Sequence, residues 1–173
     1  MKNLLLTGPP RCGKTRLIEE VVKMLPCENG GFYTGEIKEG GRRVGFSIKT
    51  LDGKEGVLSH VGIKGRHRVG RYGVNMKNLE GIAVASLLEA ARNRRLIAID
   101  EIGRMELLSP EFREAVLICL DCPAPVLGTI MEARNPFADA VKTRSDVQLI
   151  RVTQENRDNL PDKLVSLLTK NKP

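Results

Sequence analysis

Eight consecutive residues near the N-terminus have the composition and spacing of a phosphate-binding loop. They match the pattern G-x-x-x-x-G-K-[ST] without departure, and in order they are Gly8, Pro9, Pro10, Arg11, Cys12, Gly13, Lys14 and Thr15. Glycines let backbone N–H groups approach phosphate oxygens. The Lys14 ammonium can reach the β- and γ-phosphates, and the Thr15 hydroxyl can ligate Mg²⁺. The loop therefore predicts a nucleotide site with Mg²⁺ as its cofactor.

A second candidate element is acidic and follows an apolar run of strand length. Residues 96–99 are continuously apolar, and Asp100 and Glu101 come directly after them. A buried strand that ends in Asp is typical of the Mg²⁺-side carboxylate of phosphate-loop enzymes, so we assign Asp100 to nucleotide and metal binding together with Thr15. Neighbouring residues of a strand point in different directions, which predicts that Glu101 faces and polarises an attacking water.

Further polar residues could act on the migrating phosphate. Thr129, inside the buried run Val126–Ile130, could contact the γ-phosphate or the water, or it could bond the backbone of its neighbours. A cation on the transferred phosphoryl group is worth roughly 10³–10⁵ in rate. The arginines that could supply it are Arg104, Arg134, Arg144 and Arg157. Arg104 is favoured because it lies three residues past Glu101, and it completes a predicted catalytic set with Lys14 and Glu101.

The charge balance favours an anionic partner. There are 28 Lys and Arg residues against 21 Asp and Glu, a net charge of +7, which suits a nucleotide, a nucleic acid or an acidic lipid surface. Aromatic residues make up only 3% of the chain and Trp is absent, which disfavours nucleic acid as a partner. One basic segment could be a lid over triphosphate, a nucleic-acid patch or a solvated loop; it contains Lys64, Arg66, His67, Arg68 and Arg71.

Strand-length apolar runs alternate with helical patterns along the chain. The patterns predict strands at 3–7, 96–99, 126–130 and 147–152, and helices at 14–25, 79–92, from Ser109-Pro110 onwards, and at 161–168. Pro26 and Asn29-Gly30-Gly31 are expected to end the first helix. A Gly-Gly pair between runs 31–38 and 43–51 predicts a β-hairpin, with a third strand at 55–59 and a loop at 62–75.

These elements predict one α/β domain over residues 1–173. Its sheet is expected to be mostly parallel, with helices on both faces and the hairpin inserted after the first strand–helix unit. The longest run without Asp, Glu, Lys or Arg has 10 residues, against the ~20 apolar residues of a membrane helix, so no membrane partner is expected. The first apolar run is too short for a signal peptide, which predicts a cytoplasmic protein with reduced Cys12, Cys27, Cys119 and Cys122.

Four short segments point to one family. They are Gly31-Phe32-Tyr33-Thr34-Gly35-Glu36, Val69-Gly70-Arg71-Tyr72-Gly73-Val74-Asn75, Asp100-Glu101-Ile102-Gly103-Arg104-Met105-Glu106-Leu107 and Glu155-Asn156-Arg157-Asp158. With the phosphate loop, they resemble the small P-loop nucleoside-triphosphatases, a family that includes the cancer-related nucleoside-triphosphatases. The resemblance covers nearly the whole chain. It implies a three-layer P-loop NTPase fold of the RecA or AAA type and slow, Mg²⁺-dependent hydrolysis of several nucleoside triphosphates. Arg11 stands where this family often has a small residue.

The resulting prediction is hydrolysis of nucleoside 5′-triphosphates, ATP and GTP among them, to the diphosphate and phosphate. The expected partner is the triphosphate substrate, and a monomer is favoured. Two alternatives stay open. A nucleotide or polynucleotide kinase would share Lys14, Thr15 and Asp100 but needs an acceptor pocket, and a nucleic-acid-binding nucleotide switch would show salt-dependent binding. Phosphate release without an acceptor separates hydrolysis from the kinase alternative.

Overall fold

The computed structural model describes residues 2–25 and 28–170. The strands in these ranges are β1 Asn3–Thr7, β2 Asn29–Glu39, β3 Arg42–Thr50, β4 Glu55–His60, β5 Arg68–Val69, β6 Tyr72–Val74, β7 Leu96–Ile102, β8 Val126–Ile130 and β9 Val147–Arg151. The α-helices are α1 Lys14–Met24, α2 Met76–Asn78, α3 Ala85–Asn93, α4 Pro110–Asp121, α5 Pro136–Lys142 and α6 Leu160–Lys170. A π-helical segment, Leu79–Val84, joins α2 to α3, and 3₁₀ turns cover Glu106–Leu108 and Arg157–Asn159.

The strands form one sheet in the order β5-β6-β4-β3-β2-β7-β8-β1-β9. Strands β2, β7, β8, β1 and β9 pair in parallel, and β3, β4, β6 and β5 extend the sheet from β2 in antiparallel fashion. The predicted α/β class is therefore confirmed. Because β1, β7 and β8 run in parallel side by side, their carboxyl ends meet at one edge, where ligands of open α/β sheets bind.

Helices cover both faces of this sheet, as the alternating pattern predicts. Leu4 and Leu6 of β1 pack with residues of α1 and α6, such as Ile18 and Leu164. Leu5 points to the other face, into the cluster that α3, α4 and α5 complete. Successive side chains of a strand alternate between faces, so a fully apolar strand such as β1 needs an apolar layer on each side. The predicted start of α4 is also confirmed, since the Ser109 hydroxyl accepts a hydrogen bond from the Phe112 N–H at 3.1 Å.

Two predictions about the inserted region are wrong. Asn29-Gly30-Gly31 does not end α1 but begins β2, which pairs with β7 from Asn29 to Phe32. The glycine is needed here for packing and not for a turn, because β7 passes close to the Gly31 backbone. A Cβ built on Gly31 would lie 1.9 Å from the Ala98 carbonyl oxygen. Segment 62–75 is not only a loop, because it contains β5 and β6. The hairpin of β2 and β3 and the third strand β4 are confirmed. Pro26, expected to end α1, lies outside the described residues.

Three of the four cysteines lie in the part of the chain that the structure describes. Within residues 2–25 and 28–170, Cys12, Cys119 and Cys122 are free thiols, and Cys27 lies outside these ranges. Burial raises the pKa of Cys119 to about 12, which leaves it a neutral core side chain. No helix of the described chain is long and apolar enough to cross a membrane.

Candidate active site

The phosphate loop lies between the carboxyl end of β1 and the first turn of α1. The start of α1 has no side-chain cap and no acidic residue in its first turn. Its unpaired N–H groups and the positive end of the helix dipole are therefore available to an anion. The Lys14 ammonium lies over the loop and donates hydrogen bonds to the carbonyl oxygens of Gly8 and Pro9, each at 2.8 Å. These carbonyls hold the ammonium at the position from which it can turn to phosphate.

Most of the predicted loop residues border one large cavity of about 1030 Å³. Those that line it are Gly8, Pro10, Arg11, Gly13, Lys14 and Thr15. Pro9 contributes its carbonyl to Lys14. Cys12 turns inwards and packs in the core beneath the loop, so only its backbone is placed to contact phosphate. Arg11 adopts a left-handed backbone with φ 62° and is exposed at the cavity, where its side chain adds positive charge.

Asp100 is held between the phosphate loop and strand β8. The Thr15 hydroxyl donates to one carboxylate oxygen at 2.8 Å, and the Thr129 hydroxyl donates to the other at 2.6 Å. Only 2% of Asp100 is exposed. Burial raises the pKa of this carboxyl, and the two hydroxyl hydrogen bonds oppose that rise. The structure thus brings Thr15 and Asp100 together as the sequence predicts.

Thr129 has a role that neither sequence interpretation included. Its hydroxyl is buried and bonds the Asp100 side chain, instead of the backbone of its neighbours or the open part of the cavity. It therefore positions Asp100. Neither alternative included Asp100, because the contact spans β7 and β8, which are adjacent only in the folded sheet.

The donor set fits Mg²⁺. Mg²⁺ prefers oxygen ligands and keeps several waters, so one or two protein groups together with substrate phosphates commonly hold it. The Thr15 hydroxyl and the Asp100 carboxylate supply such oxygens within hydrogen-bond distance of each other. The described residues contain no group of three or more His, Cys, Asp or Glu able to hold a metal ion.

Glu101 lines the same cavity as Asp100. The pairing of β7 with β8 is irregular between Ile99 and Ile102, the part of the strand that carries both carboxyl groups. The different roles predicted for the two groups stay a prediction. Burial and the neighbouring Asp100 carboxyl raise the pKa of Glu101. Its carboxyl group rests over Gly103: a Cβ built on that glycine would lie 2.3 Å from the Glu101 Oε1. Gly103, which the sequence interpretation left without a role, therefore leaves the space that Glu101 occupies.

Glu106 is a buried carboxyl group that the sequence analysis quoted without assigning it a role. It borders the cavity and is only 3% exposed. Burial raises its pKa well above the usual range, and the Glu101 carboxyl adds to the rise. A charged residue inside the apolar segment that follows Glu101 was the available signal, since carboxyl groups are seldom fully buried without a functional reason.

Glu106→Gln is expected to stabilise the fold at neutral pH. A carboxyl whose pKa is higher in the folded state than in the unfolded chain loses stability as pH rises through and above the unfolded value of about 4.3. The amide carries no such penalty, so the melting temperature should rise by a few degrees at pH 7, about 2–4 °C per kcal/mol, and the gain should vanish below about pH 4. Thermal melts at both pH values measure this. Glu114→Gln, an exposed change on α4, is the matched control.

The structure places the four candidate arginines at different positions relative to the cavity. Arg104 is exposed and borders the cavity beside Glu101. Arg134 points to solvent with 96% of its side chain exposed and pairs with Asp139. Arg144 pairs with Asp121 and Asp146 at the amino end of β1, the end opposite the phosphate loop. The structure therefore does not bring Arg134 or Arg144 to the site. Arg157 lies beside Gly13 of the loop and is not one of the residues that line this cavity.

Two arginines of the basic segment form hydrogen bonds with neighbouring residues of the antiparallel strands and loops. Arg68 donates hydrogen bonds to the carbonyls of Ile63 and Arg71, and Arg71 contacts Tyr72. Of the described residues that line the cavity, none is Lys64, Arg66, His67, Arg68 or Arg71. Val69, in the same segment, does line the cavity. The lid interpretation stays a prediction, with none of these five basic residues at the cavity. Arg43, which the sequence analysis missed, borders the cavity instead, and its guanidinium lies 4.9 Å from the Phe46 ring centre.

Comparison with known proteins finds a family model and related nucleoside-triphosphatases. A family model described as NTPase matches residues 3–165. The nucleoside-triphosphatase THEP1 of Thermotoga maritima is 44% identical over 98% of this chain and 97% of its own length. The human cancer-related nucleoside-triphosphatase is 42% identical over 93% of this chain and 94% of its own.

Two solved structures share the fold. The crystal structure of THEP1 from the hyperthermophile Aquifex aeolicus superposes with a TM-score of 0.87 at 37% identity, covering 97% of this chain and 99% of that one. The solution structure of a human cancer-related nucleoside triphosphatase gives 0.84 at 37% identity, with both chains fully covered. Since the family model and relatives above 40% identity both span nearly all of it, the chain belongs to the NTPase family, with the P-loop fold of its structural neighbours.

Proposed function

We propose that this protein hydrolyses nucleoside 5′-triphosphates to the diphosphate and phosphate, with Mg²⁺ as cofactor. The observation that carries the proposal is the 2.8 Å hydrogen bond between Thr15 and Asp100, which joins the phosphate loop to the acidic strand with Glu101 in the same cavity. Relatives named nucleoside-triphosphatases support the reaction class.

Each residue has one task in this reaction. Lys14 and the loop N–H groups bind the phosphates, and Thr15 and Asp100 would hold the metal ion, with Thr129 fixing the carboxylate. When bound, the metal ion would neutralise negative charge on the substrate phosphates. Glu101 orients the attacking water and accepts its proton. The burial and neighbouring charge that raise the Glu101 pKa make its carboxylate a stronger base than an exposed one.

A panel of ATP, GTP, CTP and UTP tests the proposal. We expect the purified protein to release phosphate from each in the presence of Mg²⁺, with no acceptor added, and to stop when the metal is chelated. Release that requires an added nucleoside or nucleotide would favour a kinase. Turnover that appears only with DNA would favour a nucleic-acid switch. Either outcome would contradict the proposal.

Arg104→Ala is expected to lower kcat at saturating Mg²⁺-ATP by at least about tenfold, because a cation near the γ-phosphate stabilises the charge of the transition state. Steady-state phosphate release measures the change. Arg134→Ala is the matched control, since it removes an exposed arginine outside the cavity and should turn over normally. A normal kcat in the Arg104 variant would transfer the role to another arginine at the cavity: Arg11, Arg16 or Arg43.

A further inference from the structure

The chain segment after β9 rests against the phosphate loop on the side away from Asp100. Its first residue, Val152, donates a backbone hydrogen bond to Thr7 at 2.8 Å, and a Cβ built on Gly8 would lie 2.5 Å from the Val152 carbonyl oxygen. Thr153 and Asn156 exchange hydrogen bonds at 2.9 and 3.3 Å between the side chain of each and the backbone N–H of the other. These contacts fix the 3₁₀ turn that begins at Arg157.

Arg157 occupies the space beside the loop glycine that precedes Lys14. A Cβ built on Gly13 would lie 3.5 Å from the Arg157 Cδ and 3.7 Å from its Nη1. The side chain is 43% exposed, and it forms a 3.6 Å ion pair with the adjacent Asp158. The guanidinium is thus placed next to the nucleotide site and stays accessible to a ligand.

Once the γ-phosphate is placed at Glu101, the sheet order indicates the direction in which the nucleotide extends. Asp100 and Glu101 lie on β7, and β8 separates that strand from β1, whereas β9 lies on the other side of β1. In the proposed hydrolysis, the γ-phosphate lies at Glu101. The α-phosphate and the nucleoside then extend across β1 towards the β9 side, where Arg157 lies.

We propose that Arg157 is the nucleoside-binding residue of this site, with its guanidinium stacked on the flat face of the nucleobase. This rests on the proposed function, because the direction of the nucleotide follows from placing the γ-phosphate at Glu101. A planar guanidinium stacks on an aromatic face, and every nucleobase has such a face. The contact therefore gives affinity without reading a base edge, and a substrate class of nucleoside triphosphates with any base follows.

Isothermal calorimetry with Mg²⁺ on the full-length protein tests the inference, using ATP, GTP, CTP, UTP and inorganic tripolyphosphate as ligands. Arg157→Ala should weaken binding of all four nucleotides by about tenfold, the scale of a partly desolvated cation–π contact. Its affinity for tripolyphosphate should equal that of the wild type, which also shows that the variant is folded. In phosphate-release assays the change should be larger in KM than in kcat. Lys163→Ala, which removes an exposed cation of α6, should change neither affinity.

Three results would overturn the inference. Unchanged nucleotide affinity in Arg157→Ala would show that Arg157 does not contact the nucleotide. An equal loss for tripolyphosphate would place the guanidinium on phosphate, and a loss confined to one base would make it an edge-reading residue. Failure of the proposed function is seen separately, as absence of phosphate release by the wild type, because the binding measurements do not depend on turnover.

Discussion

Glu101→Gln should lower kcat by at least about two orders of magnitude while nucleotide affinity stays within a few-fold of the wild type. A positioned general base contributes roughly 10²–10⁴ to such a step, and the amide cannot accept the proton of the attacking water. Phosphate and metal binding depend on other groups: Lys14, the loop N–H groups, Thr15 and Asp100. Single-turnover phosphate release and calorimetric titration of the nucleotide measure the two effects separately.

Asp100→Asn is the matched comparison for this prediction. It should raise the Mg²⁺ concentration needed for activity, because Asp100 bonds the Thr15 hydroxyl on the side of the site assigned to the metal. Asp100 would then have a role in metal binding, and Glu101 a role in the chemical step. Normal turnover by Glu101→Gln would place water activation elsewhere and strengthen the kinase alternative, in which an acceptor hydroxyl meets a different base.

Gly103→Ala gives an independent check on the position of the Glu101 carboxyl. The added methyl group would lie 2.3 Å from the Glu101 Oε1, so the side chain must move although its chemistry is unchanged. Since a flexible side chain can shift without disturbing the strand, the melting temperature should change little. The loss should fall on kcat, because a displaced base no longer meets the attacking water. An unaltered kcat would show that the observed carboxyl position is not the reactive one.

Lys14→Ala should abolish detectable turnover and weaken binding of Mg²⁺-ATP. The ammonium is the cation held within the loop, where the Gly8 and Pro9 carbonyls orient it towards the phosphate position. Its removal deletes a charge from the ligand site and nothing from the hydrophobic core, so the circular dichroism spectrum should match the wild type. Phosphate release and calorimetry measure the loss.

Lys23→Ala is the control for that variant, because it removes an exposed lysine from the last turn of the same helix and should retain normal activity. Phosphate release that survives in Lys14→Ala would contradict the assignment of residues 8–15 as the substrate-phosphate site. Loss of activity in both variants would instead indicate a general electrostatic effect of the positive net charge.

Local sequence patterns predicted the parts of the site whose geometry is itself local. A strand followed by G-x-x-x-x-G-K-[ST] and a helix places N–H groups, an ammonium and a hydroxyl around one point, whatever the rest of the chain does. For the same reason the start of α4 at Ser109 was predictable, as was the turn between β2 and β3. The number of strands in the inserted region was harder to predict, because β5 and β6 are only two and three residues long.

The sequence by itself determined the phosphate loop, the acidic strand and the α/β class, since each follows from spacing or alternation along the chain. Only the tertiary structure decided which side chains from distant parts of the sequence lie beside the phosphate loop and the acidic strand. Strand order places Thr129 against Asp100, brings Arg157 to Gly13 and sends Arg144 to the opposite end of β1. The burial of Glu106 beside Glu101 depends likewise on how β7 packs. The sequence could favour Arg104 through its spacing from Glu101, but it could not rank Arg134, Arg144 and Arg157, because no local pattern encodes the tertiary arrangement that sets their positions.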